Sequence, residues 1–127
     1  MPERETIERA QRDRAEGKSA STQAGEFVRE EMHHIREGKH GARSAKQAIA
    51  IGLSKARRAG VRLPPPKRGS TKIKRQAKRD LRAGRLGKRP SLRRSRSRLT
   101  ALRRESRSAA SHRALSRQAR SAARHRG

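Results

Sequence analysis

The sequence lacks several kinds of residue on which folded and catalytic proteins usually depend. Among its 127 residues there is no cysteine, tryptophan or tyrosine, and only one phenylalanine. The absence of cysteine excludes disulfide frameworks and thiolate zinc sites. With so few large apolar side chains, a large hydrophobic core cannot offset the entropy lost on ordering the whole chain. No run of about 18 apolar residues occurs, so we expect no membrane-spanning helix.

Acidic residues are also scarce, with 11 against 37 lysines and arginines, which gives a net charge of +26. Residues 1–66 hold 14 of the basic and 9 of the acidic residues, a net charge of +5. Residues 67–127 hold the remaining 23 basic residues and two acids, Asp80 and Glu105, a net charge of +21. Self-repulsion of this size opposes compaction unless a polyanion is present. The charge therefore predicts a nucleic acid as the partner.

Apolar periodicity and helix-stop residues predict three helices in the first half, at about 3–16, 22–36 and 44–59. The first contains one large apolar residue, Ile7, so we expect it to be loosely held. The second and third are joined by a short glycine-containing segment, which is typical of a helical hairpin at about 22–60.

The third helix has the clearest pattern. Ala48, Gly52 and Ala56 form a ridge of small residues that allows another helix to approach closely. Ser44 and Gln47 have the spacing of a capping box, and the residues at the other end predict a Schellman-type stop, with Gly60 at C′ and Val61 covering Ala56. We expect the hairpin to pack through one thin apolar seam formed by Phe27, Val28, Met32 and Ile35 against Ile49 and Leu53.

The predicted fold class is all-α, with a small helical hairpin, a loose N-terminal helix and a largely disordered cationic C-terminal tail. The expected organisation is a helical region over 1–63, a Pro/Gly hinge over 64–69 and a basic low-complexity tail over 70–127. Good helix formers in the tail suggest that it becomes helical when phosphate neutralises its charge.

One stretch of the sequence resembles a known family. It runs from Glu26-Phe27-Val28 through Gly38-Lys39-His40-Gly41-Ala42-Arg43-Ser44 and on to Gly60. The similarity is to small basic bacterial proteins that form a domain-of-unknown-function family with a variable basic C-terminus, and it covers about residues 3–66. It implies a bacterial source and no particular activity. The tail is similar in composition to the tails of linker-histone-like bacterial proteins.

The candidate site consists of cations that neutralise phosphates and release condensed counterions. One part surrounds the turn before the third helix, where free backbone N–H groups predict an anion site. That helix is also a candidate recognition helix, although its preceding loop is longer than a helix-turn-helix turn. The candidate nucleic-acid-binding residues are Lys39, His40, Arg43, Lys46, Arg57, Arg58, Lys67, Arg68, Lys72, Lys74, Arg75, Lys78, Arg79, Arg93, Arg94, Arg96 and Arg98.

Other chemistry has little support in the sequence. His33, His34 and His40 lie close together, but no pair has the i, i+4 spacing of a helical zinc site, so we expect no metal. No phosphate loop or nucleophile elbow occurs, so neither an enzymatic activity nor a cofactor is expected.

The sequence thus predicts a non-enzymatic protein that binds nucleic acid without sequence specificity. The scarcity of aromatic side chains favours duplex DNA or folded RNA over single strands, because a single-strand binder usually stacks bases on aromatic rings. Duplex DNA is the favoured partner, and folded RNA is possible. An RNA- or ribosome-associated protein and a protein–protein adaptor that uses the hairpin are alternatives. The small-residue ridge and Ile51, which lies outside the main apolar face, also suggest a possible homodimer through the hairpin. The expected location is the cytoplasm, at the nucleoid.

Overall fold

A computed structural model describes residues 3–87, 92–105 and 107–126. Within those ranges the chain is helical and contains no strand. The elements are α1 (Arg4–Ala15), α2 (Ala20–Arg36), α3 (Ala45–Arg58), α4 (Thr71–Leu86), α5 (Leu92–Arg103), a short 3-10 helix (Arg107–Ala110) and α6 (His112–Arg126). The chain forms two compact units: unit 1 comprises Met1–Glu30 and Ile51–Arg89, and unit 2 comprises Glu31–Ala50 and Pro90–Gly127. No helix in the described ranges has the length and apolar character needed to cross a membrane.

The core of unit 1 is built mainly from small side chains around one ring. Phe27 is almost fully buried and clusters with Ala10, Ala24, Ala56 and Val61. The half-buried side chains that pack against this cluster are Ile7, Ala20, Leu53 and Leu63. The prediction that Phe27 belongs to the hairpin seam is therefore confirmed.

Helix α1 is docked on this core, and the expectation that it is loosely held is wrong. Thr6 is fully buried and Ala10 lies in the cluster beside Phe27. Arg9 Nε also lies 3.5 Å from Glu26 Oε2 on α2. The sequence argument counted large apolar residues, whereas α1 packs mostly through small ones, which allow close contact without a large side chain.

The small-residue ridge of α3 brings two helices into close contact, as predicted. A Cβ atom added to Gly52 would lie 2.7 Å from Val28 Cα on α2. Ala48 and Ala56, one turn away on either side, are fully buried. The ridge is therefore used inside the chain, and the possible homodimer through the hairpin stays a prediction.

Substituting two helical glycines with alanine should have opposite effects on stability. Gly52→Ala should lower the free energy of unfolding by about 1–3 kcal/mol, because the new methyl group would overlap the Val28 backbone. Gly25→Ala is the matched control on α2, since nothing lies within 4 Å of a Cβ at that position. It should raise the same free energy by about 0.5–1 kcal/mol through helix propensity. Urea denaturation followed by circular dichroism measures both, and a stabilising Gly52→Ala would contradict the close packing.

The predicted ends of α3 are confirmed. Val61 N–H donates to Ala56 O (3.0 Å) and Gly60 N–H donates to Arg57 O (3.1 Å), which is the Schellman pattern. Gly60 has a φ of +103°, a value that L side chains rarely adopt.

At the start of α3, the capping box of Ser44 and Gln47 forms with one change. Gln47 N–H donates to Ser44 Oγ at 3.1 Å. The Gln47 side chain returns to the N–H of Arg43 at 2.6 Å instead of that of Ser44.

The prediction of a largely disordered tail is not supported. Helix α4 belongs to unit 1, while α5, the 3-10 helix and α6 belong to unit 2. In unit 2, Gly41 N–H donates to Leu102 O (2.7 Å), and Arg36 Nε donates to Ala110 O (3.1 Å). Ala109 and Ala110 are buried. Main-chain hydrogen bonds and buried alanines thus hold segments that contain few large apolar residues.

Candidate nucleic-acid interface

Helix α4 is a basic helix of unit 1 whose start, end and buried side are each defined by particular residues. Ser70 caps it, since its Oγ accepts from Ile73 N–H at 3.2 Å. Gly87 ends it in the left-handed conformation with a φ of +66°. Between them, Ala77 and Asp80 are buried. A capped start, a glycine stop and a buried side give this helix fixed bounds and a fixed rotation about its axis.

Asp80 fixes the rotation of α4 against α3. Its side chain is 1% exposed. One carboxylate oxygen, Oδ1, accepts from Arg58 Nε (2.8 Å) and Gln76 Nε2 (3.0 Å), and the other, Oδ2, accepts from Ser54 Oγ (2.7 Å). Charge-assisted hydrogen bonds of this kind are both short and directional. A single carboxylate therefore joins α4 to two consecutive turns of α3.

Gly84 brings the two backbones together one turn further along α4. A Cβ atom at this position would overlap the carbonyl oxygen of Arg57, and it would lie 3.2 Å from Gly60 N. Only glycine permits this approach without a shift of the backbone. Together with Asp80, it commits one side of α4 to the interior of unit 1.

The opposite side of α4 is a continuous cationic surface, which we call the α4 basic face. At 3.6 residues per turn its members fall within an arc of about 140°. All of them are exposed: Lys72, Arg75, Lys78, Arg79, Arg82 and Arg85. Lys74 lies outside this arc and is half-buried. Four of the cations predicted from the sequence are therefore brought onto one surface.

Arg57 and Arg58, two of the candidate nucleic-acid-binding residues, have partners inside unit 1. Arg57 is buried, and its guanidinium donates to Leu63 O (3.1 Å) and Pro64 O (2.9 Å). Burial lowers the pKa of Arg57, and the nearby Asp80 carboxylate opposes that shift. Arg58 is half-buried and pairs with Asp80. Both arginines support α4 and the hinge segment from inside unit 1.

Unit 1 also contains a pocket of about 600 Å³ with an arginine-rich lining. Arg14, Arg62 and Arg85 line it together with the buried Arg57. The rest of its wall is apolar or glycine, from Val61, Leu63, Pro64, Leu81, Gly60 and Gly84. Because no carboxylate lines this pocket, it has the electrostatic character of an anion site at the end of the α4 basic face.

In unit 2 the predicted anion turn lines a second pocket, of about 560 Å³. Arg43, Ser44 and Ala45 form one side of it, at the start of α3. The other side comes from the 3-10 helix, from Ser111 and from α6 as far as Ser121, and it includes Arg113 and Arg117. Lys39 and Lys46 are exposed, but they are not part of this lining. The sequence analysis singled out residues on the α3 side of this pocket and missed the arginines on the α6 side.

His40 does not join the other predicted phosphate-binding residues of this turn. It is 6% exposed, and its Nε2 lies 3.2 Å from Glu31 Oε2. His40 is therefore less accessible than the exposed Lys39, Arg43 and Lys46, and its role in phosphate binding stays a prediction. An imidazole that faces a buried carboxylate has its polar atoms engaged within the protein.

Helix α6 carries an arginine stripe that the sequence argument did not identify. Its members are spaced i, i+4, i+7 and i+11, so they fall within about 60° of one another around the helix. All four are exposed: Arg113, Arg117, Arg120 and Arg124. The 4-3-4 spacing was visible in the sequence and would have identified them.

The remaining predicted cations are exposed without forming such a surface. Lys67 and Arg68 lie between α3 and α4. The four arginines of α5, namely Arg93, Arg94, Arg96 and Arg98, are exposed but point around the helix in several directions at 100° per residue.

Residues 17–68 match the model of a family of unknown function, DUF6496. The match covers α2, α3 and most of the segment that follows α3, and it leaves out α1 and α4 to α6. No curated protein and no solved structure matches the chain. Residues 17–68 are thus similar to a domain-of-unknown-function family, which agrees with that part of the resemblance noted in the sequence. The likeness of the tail to linker-histone-like proteins stays a prediction.

Proposed function

We propose that this protein binds duplex nucleic acid, with DNA preferred, through backbone phosphates and without sequence specificity. The observation that carries the proposal is the α4 basic face. Six exposed cations lie on one side of a helix whose only carboxylate, Asp80, is turned into the interior. A cationic surface fixed on a folded unit meets a polyanion without the entropy cost of ordering a flexible tail.

The dimensions of α4 suit a B-form duplex. Its 16 residues span about 24 Å at 1.5 Å per residue. A helix about 10–12 Å across fits the major groove of B-DNA, which is about 12 Å wide, whereas the major groove of A-form RNA is too narrow for side chains to read. The arginine stripe of α6 offers a second linear set of phosphate contacts.

Base stacking plays little part in this mode of binding. Phe27, the one aromatic ring apart from the histidines, is buried in the core of unit 1. Single-strand binders rely on such rings to stack bases. The available chemistry is charge neutralisation by lysine and arginine, which favours duplexes and is tolerant of sequence.

Removing charge from α4 should weaken duplex binding far more than removing equal charge from α5. The test variant is K72Q/R75Q/K78Q/R82Q, which leaves Arg79 to donate to Gln76. At 0.1 M salt its affinity for a 30-base-pair DNA should fall by about 10³-fold, and the log–log salt slope should become shallower by about 4. Fluorescence anisotropy at several salt concentrations measures both quantities.

The matched control is R93Q/R94Q/R96Q/R98Q, which removes the same charge from arginines that point in different directions. Its affinity should fall by less than about tenfold, because few of these residues reach one backbone together. If the two variants lose equal DNA affinity, binding comes from diffuse attraction by the whole polycation and does not depend on the α4 basic face. Tighter binding to a duplex RNA of the same length would show that RNA, and not DNA, is the preferred duplex.

A further inference from the structure

Three potential metal ligands meet in the interior of unit 2. Glu31 is fully buried, His34 is 8% exposed and His40 is 6% exposed. Glu31 and His34 are spaced i, i+3 on α2, so they lie on one side of the helix. Helix α2 then ends in a Schellman turn, in which Lys39 N–H donates to His34 O at 3.0 Å. This turn folds the chain back and returns His40 to the same place.

The distances within this cluster are those of atoms that can share one ion. His40 Nε2 lies 3.2 Å from Glu31 Oε2. One ligand atom from each of the three residues lies within 4.8 Å of the others. Ligands on a tetrahedral zinc ion, at about 2.0–2.1 Å from the metal, are separated by about 3.3 Å. One pair already has this spacing, and small side-chain rotations would bring the third ligand to it.

The hydrogen bonds of His40 orient it as a ligand. Its Nδ1 lies 2.9 Å from Gly41 O, so Nδ1–H donates to that carbonyl. This arrangement aims Nε2 at the Glu31 carboxylate. Metal-ligating histidines commonly donate their second N–H to a backbone carbonyl in this way, which fixes the ring and its tautomer. Gly41 is itself held, since its N–H donates to Leu102 O at 2.7 Å.

We propose that Glu31, His34 and His40 form a binding site for a divalent transition-metal ion, of which zinc fits best. Two imidazole nitrogens and one carboxylate suit zinc, whereas calcium and magnesium require sets of oxygen ligands. The sequence argument excluded metal because it considered ligand pairs within one helix, and His40 lies beyond the end of α2.

Zinc binding to the full chain, first stripped of metal with a chelator, tests the site. Titration against a chromophoric zinc indicator should show one tight site per chain. His40→Gln should weaken that binding by at least about 100-fold, because it removes one of three ligands. His33→Gln is the matched control, since His33 is adjacent in sequence, 70% exposed and paired with Glu37, and it should leave the affinity unchanged.

A measurement on the unsubstituted protein keeps the test independent of whether the variants fold. In long-range proton–nitrogen spectra of the histidine rings, one equivalent of zinc should shift the resonances of His34 and His40 and leave those of His33 and His112 in place. The proposal is overturned if zinc fails to bind in a saturable 1:1 complex, or if His33→Gln loses as much affinity as His40→Gln. It is also overturned if the shifts occur at His33 or His112, in which case Glu31 and His40 form a direct ion pair and the bound zinc is adventitious.

Discussion

Raising the salt concentration from 50 to 200 mM should weaken binding of the full chain to a 30-base-pair DNA by about 10³- to 10⁵-fold. The reason is the number of exposed cations that are available to neutralise phosphates. Six belong to the α4 basic face and four to the arginine stripe of α6. If about six to ten phosphates are neutralised, the slope of log affinity against log salt should be about −5 to −9. Fluorescence anisotropy over that salt range measures the slope directly.

A second duplex of unrelated sequence provides the control for this experiment. Because the contacts are made to phosphates, both duplexes should give the same affinity and the same slope. A slope shallower than about −3 would mean that the basic faces are not the binding surface. A clear preference for one duplex would point instead to base contacts, as a recognition helix would make.

Charge substitutions test this interface better than removal of the C-terminal half. Deleting residues 67–127 would remove α4, which packs within unit 1 through Asp80 and Gly84. It would also remove α5 and α6 from unit 2. A loss of binding in such a deletion would therefore mix the loss of cations with the loss of folded structure.

The sequence predicted the features of the fold that depend on local chemistry. The Schellman stop at Gly60 and the cap at Ser44 form as expected, because each needs only residues within one turn. The close approach at Gly52 was also predictable, since a ridge of small residues has few other uses. Among the site residues, four of the six cations of the α4 basic face were identified, whereas Arg82, Arg85 and the common face were not.

Longer-range packing was missed where it depends on small or charged residues. Sequence reasoning looked for large apolar side chains, and α4 is fixed by Ala77, Asp80 and Gly84 instead. The signal was present: these residues are spaced i, i+3 and i+7, and Asp80 is one of two acids after residue 66. Glu31 and His40 were beyond such reasoning, because their meeting depends on the path of a turn and on the hydrogen bond from Gly41 to Leu102.

Replacing Asp80 with alanine should destabilise unit 1 more than any single change to the basic face. The substitution removes the acceptor of three hydrogen bonds, from Ser54, Arg58 and Gln76, and leaves Arg58 without its ion-pair partner. Breaking a buried ion pair by removing one partner costs about 3–5 kcal/mol. We expect the loss in the free energy of unfolding to lie at the lower end of this range, about 3 kcal/mol. The reason is that the Arg58 side chain is 27% exposed, so water can solvate its charge in part. Urea denaturation measures the loss.

Glu8→Ala is the matched control, since it removes the same charge and an ion pair from the same unit. Glu8 pairs with Arg4 at 3.2 Å across one helical turn, but both side chains are more than half exposed. Such pairs contribute only about 0.3–0.5 kcal/mol. Hydrogen exchange adds the location of the effect: in Asp80→Ala the amides of α4 should exchange faster while those of α6 keep their rates. If the two variants unfold at similar urea concentrations, the hydrogen bonds of the Asp80 carboxylate do not stabilise the packing of α4 on α3. The orientation of the α4 basic face would then depend on other contacts.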